Sequence, residues 1–461
     1  MLHPGRPPRF VRGGRFFVPP PEASGLLMRL SPTDREIAAL AVPALGALAA
    51  DPLVSLVDTA FVGQTGVVPL AALGVCTAVF GFAFLAFNFL AYGTTPLVAG
   101  AHARGEGDEV SRLVWHALAL ALGAGLLAMA ALEVFAVPVL RVMGASGALL
   151  DEALVYLRIR ALAAPAVLVI MVGHGAFRGA QDTRTPLWVT LGLNLVNLVL
   201  DPLLIFGLGW GLAGAAWATV IAQASGAGVF VWLLLRGTRT APPVRRQRLQ
   251  WAVIRPLVQI GGDLALRVAL LVGTLTFATA VAARLGTRAV AAHQVARELW
   301  LFLALVVDAL AVAGQALVAR YRGMDEMAKA REVSDRLLAF GLVTGAALGI
   351  AFWLGGPWLI GLFTDDPEVA SGVAMLFPFV AAMQPLNALV FVWDGVFMGA
   401  ERFRFLALAM CVSALVGCAV IALVLPLGLG LAGVWWGITA FMAARLATLA
   451  VGYRGLWRAA A

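Results

Sequence analysis

Asp58 sits in Ser55-Leu-Val-Asp-Thr-Ala-Phe-Val-Gly63, an apolar stretch with no basic residue beside it. On insertion scales a carboxylate at the centre of a membrane helix costs roughly 2.5–3.5 kcal/mol, so each one needs a reason. Asp51 lies seven residues earlier, two turns back on the same helical face. A second group stands in Asn194-Leu-Val-Asn-Leu-Val-Leu-Asp-Pro202, where Asn194, Asn197 and Asp201 recur at i, i+3 and i+7. Thr219 and Gln223 are one turn apart in a third apolar segment. Carboxylates joined by neutral oxygen donors are the groups that bind Na⁺ or pass a proton. Plainer roles compete. Asn194 and Thr219 suit interhelical hydrogen bonds, and Asp51 and Asp201 each precede a proline, whose missing N–H leaves backbone groups in need of partners. Asp58 has no such excuse and leads the coupling candidates.

The second half has its own intramembrane charges. Asp263 and Arg267, one turn apart, are expected to pair as a structural bridge, and adjacent Arg297 and Glu298 to point apart. Asp308 and Asp394 have no partner on their own helices and form a candidate second relay. Glu133 is expected near an outer, solvated end. His102, His116, His174 and His293 show no metal-binding spacing, and Cys76, Cys411 and Cys418 read as small buried hydrophobes. His174, one turn before Arg178, is a candidate for lining a cavity or titrating near neutral pH.

Which elements hold these residues follows from composition. Apolar types make up 61% of 461 residues, charged types 13%, and there are 50 glycines. A soluble domain of that composition could not cover its surface, so the chain is an all-α polytopic membrane protein. A spanning helix needs about 20 apolar residues. On that rule twelve spans begin near residues 36, 70, 112, 150, 185, 210, 251, 288, 332, 369, 403 and 431. Pro43, inside the first, removes a backbone hydrogen bond and marks a hinge.

Most of the 33 basic residues fall in the N-terminal arm, after the even-numbered spans and at the C-terminus; Arg141, Arg284 and Arg288 lie on the opposite side. That asymmetry puts both termini in the cytoplasm and the protein in the plasma (inner) membrane. It also explains the net charge of +8 without nucleic acid. The Arg- and Pro-rich start lacks the apolar core of a secretory signal and reads as an unstructured tail, with Met28 as an alternative start.

The chain is also duplicated. Phe61–Val75 aligns with Val281–Val295, Pro165 with Pro385, and Phe177-Arg-Gly-Ala with Phe397-Met-Gly-Ala, each 220 residues on. Two pseudo-symmetric six-helix lobes follow: a tail at 1–35, an N-lobe at 36–235, a linker at 236–250 and a C-lobe at 251–461. Such repeats, with sites near the midplane, mark secondary transporters. The repeat sets Ala278 opposite Asp58, so the second lobe lacks that acid.

Other classes fare worse. The lone lysine, Lys329 in Gly-Met-Asp-Glu-Met-Ala-Lys, has no glycine-rich loop before it, which removes an ATP-binding Walker motif. No Gly-x-Ser-x-Gly or paired His/Asp cluster supports a membrane enzyme. A flippase for pyrophosphate-linked oligosaccharides would want several cavity arginines, and only Arg158 and Arg160 speak for it.

Leu56-Val-Asp-Thr-Ala-Phe-Val-Gly-Gln-Thr-Gly66, Phe177-Arg-Gly-Ala-Gln-Asp-Thr-Arg-Thr-Pro186, Gly211-Leu-Ala-Gly-Ala-Ala-Trp217 and Ala283-Arg-Leu-Gly-Thr-Arg-Ala289, in this order and spacing, resemble the MATE multidrug and toxic-compound exporters. Val306-Val-Asp-Ala-Leu-Ala311 and Val392-Trp-Asp-Gly-Val-Phe397 resemble the DinF-like branch. The resemblance implies a V-shaped pair of lobes that export amphipathic cations against H⁺ or Na⁺ by alternating access. It places Asp58, Asn197, Asp201 and Thr219 at the ion site. It places Asp51 and His174, beside Asn194, at the drug pocket, with no cofactor beyond the coupling ion. The working partners are then a small-molecule substrate and the bilayer, and a monomer is expected. The cation site of the NorM-like branch, with acids on helices seven and ten, is not carried over to Asp263 and Asp394, whose local sequences differ.

Overall fold

Proline, glycine and capping residues punctuate an otherwise continuous run of apolar helix. The computed structural model describes residues 31–363 and 366–458. Ten helices are long and apolar enough to cross a bilayer, and two bent helix pairs raise the number to twelve. They are α1 (Pro32–Gly63), α2 (Val67–Ala103), α3 (Gly107–Val134), α4 (Gly147–Ala161 with Ala164–Gly179), α5 (Arg184–Gly207), α6 (Gly211–Arg236), α7 (Trp251–Arg284), α8 (Thr287–Gly323), α9 (Met327–Phe363), α10 (Pro367–Ala382 with Gln384–Gly399), α11 (Phe403–Ala422) and α12 (Gly430–Arg458). No strand occurs among the described residues. Most of the expected tail falls on residues 1–30, outside the described ones, but α1 begins at Pro32, inside the range assigned to that tail. Ser31 sets this start. Its hydroxyl accepts from the Asp34 N–H, while Asp34 accepts from the Ser31 N–H, a reciprocal capping box.

The duplication reappears as duplicated contacts. α4 bends by 48° and α10 by 50°, each just before a proline, Pro165 or Pro385, whose ring and missing N–H break the helical ladder. Gly175 of α4 rests on the Ala91 carbonyl of α2, where a Cβ would come within 2.8 Å; Gly395 of α10 rests in the same way on Ala311 of α8. Gly179 meets Thr95 and Gly399 meets Gln315, again 220 residues on. Small residues at these crossings let backbones touch where lipid supplies no hydrophobic drive.

The linker between the lobes is extended and strapped to α3. The Arg245 N–H donates to Ser111 Oγ at 2.8 Å, the Gln250 N–H to His116 Nε2 at 3.0 Å, and Trp115 Nε1 to the Gln247 carbonyl at 2.9 Å.

The lobes meet on the face that carries both chain ends. Tyr321 Oη of α8 donates to Glu36 of α1 at 2.5 Å, Thr33 Oγ1 donates to Glu332 of α9 at 2.7 Å, and Lys329 Nζ donates to Thr33 at 2.8 Å. Gly323 at the end of α8 abuts the Gly100 carbonyl of α2, 2.7 Å from where its Cβ would stand. The near half of α1 is correspondingly buried at Ile37, Leu40, Ala44 and Ala47, whereas Asp51 to Ala60 contains no buried residue. α1 is continuous through Pro43 and Pro52.

Candidate ion-coupling and cargo site

The exposed half of α1 lines a cavity of about 360 Å³ together with α2, α4, α5 and α6. Asp51, Asp58, Asn194, Asn197, Thr219 and Gln223, proposed from separate segments, all face it. Each gets there by a distinct device. α1 presents Asp51 and Asp58 two turns apart. α5 buries Asn194, Asn197 and Asp201 along one stripe. After Asp201, Pro202 breaks the helical register and Leu203–Gly207 continues as a π turn, a distortion frequent at functional sites. Gly214 of α6 lies against the Leu204 backbone, where a Cβ would come within 2.7 Å, and this brings Thr219 alongside.

Within the cavity the acids differ. Asn194 Nδ2 donates to Asp51 Oδ1 at 2.9 Å, and Asp51 remains exposed. Asn197 Nδ2 donates to Asp201 Oδ1 at 3.3 Å, and Asp201 is 0% exposed. The Asp58 and Asp201 carboxyls are within hydrogen-bonding reach of each other. Asp58 Oδ1 and Asp201 Oδ2 are shielded from water with no N–H or O–H donor on either. Two carboxylates can share such a contact only with a proton between them. The Thr219 hydroxyl donates to the Ala215 carbonyl at 2.9 Å, so its oxygen faces the site as an acceptor.

Other residues stand differently from expectation. His174 does not line this cavity. It is held between Arg178 and Thr190, each at 3.3 Å, beneath the Phe230 ring. Asp394 is not an unpartnered acid: Arg267 and Arg445 both donate to its Oδ2, at 2.5 and 2.6 Å. The expected Asp263–Arg267 bridge is displaced by this pair, because α7 turns Arg267 toward α10. Arg297 and Glu298 do not diverge but pair at 3.0 Å, whereas Glu133 remains accessible as expected, 3.7 Å from Arg158. Asp308 accepts from Tyr92 Oη of α2 at 3.5 Å, beside a smaller cavity of about 170 Å³ shared with Arg267, Gln315 and Asp394. Among the described residues no group of three or more His, Cys, Asp or Glu is placed to hold a metal ion.

Sequence reasoning undervalued Arg160 and Tyr156 of α4, which line the main cavity beside Phe80. An arginine inside a span was the available signal.

The MatE family model matches residues 43–203 and 264–423. Protein DETOXIFICATION 44, chloroplastic, of Arabidopsis thaliana is 38% identical over 435 residues, covering 92% of this chain and 81% of that one. DNA damage-inducible protein F of Escherichia coli K12 is 30% identical over 438 residues, covering 93% and 94%. A crystal structure of MATE in the bent conformation superposes with a TM-score of 0.86 at 21% identity, over 93% of this chain and 97% of that one.

Proposed function

The chain belongs to the MatE family of membrane efflux transporters, in its DinF-like branch, and on that premise we propose that it is an H⁺-driven antiporter exporting amphipathic cations. The observation that carries this reading is the meeting of the cavity-lining Asp58 with the fully buried Asp201, whose Oδ1 and Oδ2, respectively, are unpartnered and shielded from water. With both acids ionised, the cavity attracts a cation. With both protonated, the same cation loses its counter-charges and leaves. Proton and cargo thus exclude each other, which is the thermodynamic requirement of exchange.

A proton suits the site better than Na⁺. A sodium ion needs a cage of several oxygens, yet Asn197 directs its Nδ2, not its oxygen, at Asp201. The unequal distribution of arginines supports a plasma-membrane protein with both termini cytoplasmic, and the lobes assign as 36–235 and 251–461 around the linker. The closed face is then the cytoplasmic one, and this conformation opens outward. Arg158 turns toward Glu133 and does not line the cavity, so among the described residues Arg160 is the one arginine there, which weighs against a lipid-linked oligosaccharide flippase.

The test is dye efflux by purified protein in liposomes under an imposed pH or Na⁺ gradient. A pH gradient alone is expected to drive it. The reading fails if Asp58→Asn folds and still exports cationic dyes at the wild-type rate under that gradient.

A further inference from the structure

Arg160 is a guanidinium without an ion pair among the described residues, and its Nη1 is shielded from water with no acceptor. A charge so placed is expensive unless something answers it. It stacks over the Phe80 ring, 5.3 Å from the centroid, which satisfies its face but not its charge. The groups acting on it are Tyr156, one turn back on α4, and Asp58, across the cavity on α1. Asp201 of α5 is the carboxyl in contact with Asp58. From α2 the titratable neighbour is Cys76, whose thiol donates to the Ala153 carbonyl, and from α3 Glu133 is engaged by Arg158. α6 contributes only neutral Thr219 and Gln223 to the cavity. Asp58 Oδ1 and Arg160 Nη1 are therefore unmatched atoms of opposite character lining one space.

We propose that Arg160 is a tethered cation whose charge cancels that of Asp51 once Asp58 and Asp201 are protonated, so that the cavity releases its cationic cargo. This rests on the antiport reading above. When Asp58 and Asp201 are ionised, carboxylates outnumber the guanidinium, and a cationic cargo is held despite Arg160. When both take a proton, Arg160 is left to balance Asp51, the cavity has no net charge, and nothing favours a cation within it. Without Arg160 the protonated cavity would keep the charge of Asp51 and retain cations. Arg160 thereby turns a weakened site into an emptied one.

The experiment measures equilibrium binding of rhodamine 6G, a fixed monocation, to the full chain in detergent between about pH 8 and about pH 5.5. Wild-type affinity is expected to fall about tenfold or more across that range. In Arg160→Gln the dye is expected to stay bound at about pH 5.5 at least about tenfold more tightly than to the wild type, and Arg160→Lys restores the wild-type release. Arg160→Met, which keeps an apolar side chain over Phe80, serves if the glutamine variant does not fold. Wild-type affinity at about pH 5.5 in either neutral variant overturns the proposal. If Asp58→Asn abolishes efflux while Arg160→Gln keeps the wild-type acid release, only the role of Arg160 falls. If Asp58→Asn exports normally, the antiport reading falls with it.

Discussion

Arg445 Nη2 lies 2.6 Å from Asp394 Oδ2, joining α12 to α10 in the interior of the C-lobe, and Arg267 of α7 closes on the same oxygen. The side chains are 3% and 6% exposed for this pair and 11% for Arg267, so the triad is dry. Removing one member of such a group leaves an uncompensated buried charge, at a cost of about 3–5 kcal/mol. Asp394→Asn is therefore expected to lower thermal stability sharply in a fluorescence melt. Whatever fraction still folds should keep the proton dependence of export, since Asp394 is not in the N-lobe cavity. An unchanged melting temperature would contradict this account of the triad.

The duplicated glycine contacts make a paired prediction. A Cβ at Gly395 would stand 2.2 Å from the Ala311 carbonyl oxygen, and one at Gly175 2.8 Å from that of Ala91. Backbone atoms cannot swing aside as a flexible side chain can, so Gly395→Ala and Gly175→Ala are each expected to destabilise by about 1–3 kcal/mol, the former more. Gly192→Ala, on α5 with nothing within 4 Å, provides the control and is expected to be neutral or mildly stabilising. Comparing the melting curves of the three proteins decides it.

These contacts also show how far sequence reading reached. The twelve helices were legible because bilayer thickness fixes their length, and their starts fell within five residues of those found. The displaced starts have a cause. α3 begins at Gly107 rather than near 112, because Asp108 and Glu109 favour a helix N-terminus though they do not look apolar. The convergence of Asp58, Asn197 and Asp201 was legible from shared helical faces and the family pattern. Arg267 was misread because proximity in sequence pointed to Asp263, while its true partner lies 127 residues away. Arg158 was misread because it was grouped with Arg160 as a cavity arginine, and only packing separates them: Arg158 turns to Glu133, while Arg160 lines the cavity.

Tyr92 offers a narrower test at the joint between lobes. Its hydroxyl is 3.5 Å from Asp308 Oδ2, a long contact, while Gln315 of α8 donates to the Tyr92 backbone carbonyl. The hydroxyl should contribute only about 0.5–1.5 kcal/mol. Tyr92→Phe is expected to lower the melting temperature slightly and leave maximal dye export within about twofold of wild type. A loss of more than tenfold would make Asp308 a participant in transport and support the second relay.

The closed face supplies the last prediction. Gly323 fits against the Gly100 carbonyl with no room for a Cβ, and Tyr321 reaches Glu36 across the same seam. Both contacts require the lobes to be together on the side bearing the chain ends. Gly323→Val adds a branched side chain where backbone already stands, and relief demands that the seam open. In alternating access that biases the equilibrium toward the conformer open on this side, and a shift of about 1.4 kcal/mol changes the ratio tenfold. Spin labels at Asp108 and Glu326, exposed on either lobe at this face, report the change in a background lacking the native cysteines. The Gly323→Val protein should show a longer inter-label distance in a larger fraction of molecules, and Glu36→Gln combined with Tyr321→Phe should move it the same way by less. Unchanged distance distributions in both would mean that this seam does not hold the lobes closed.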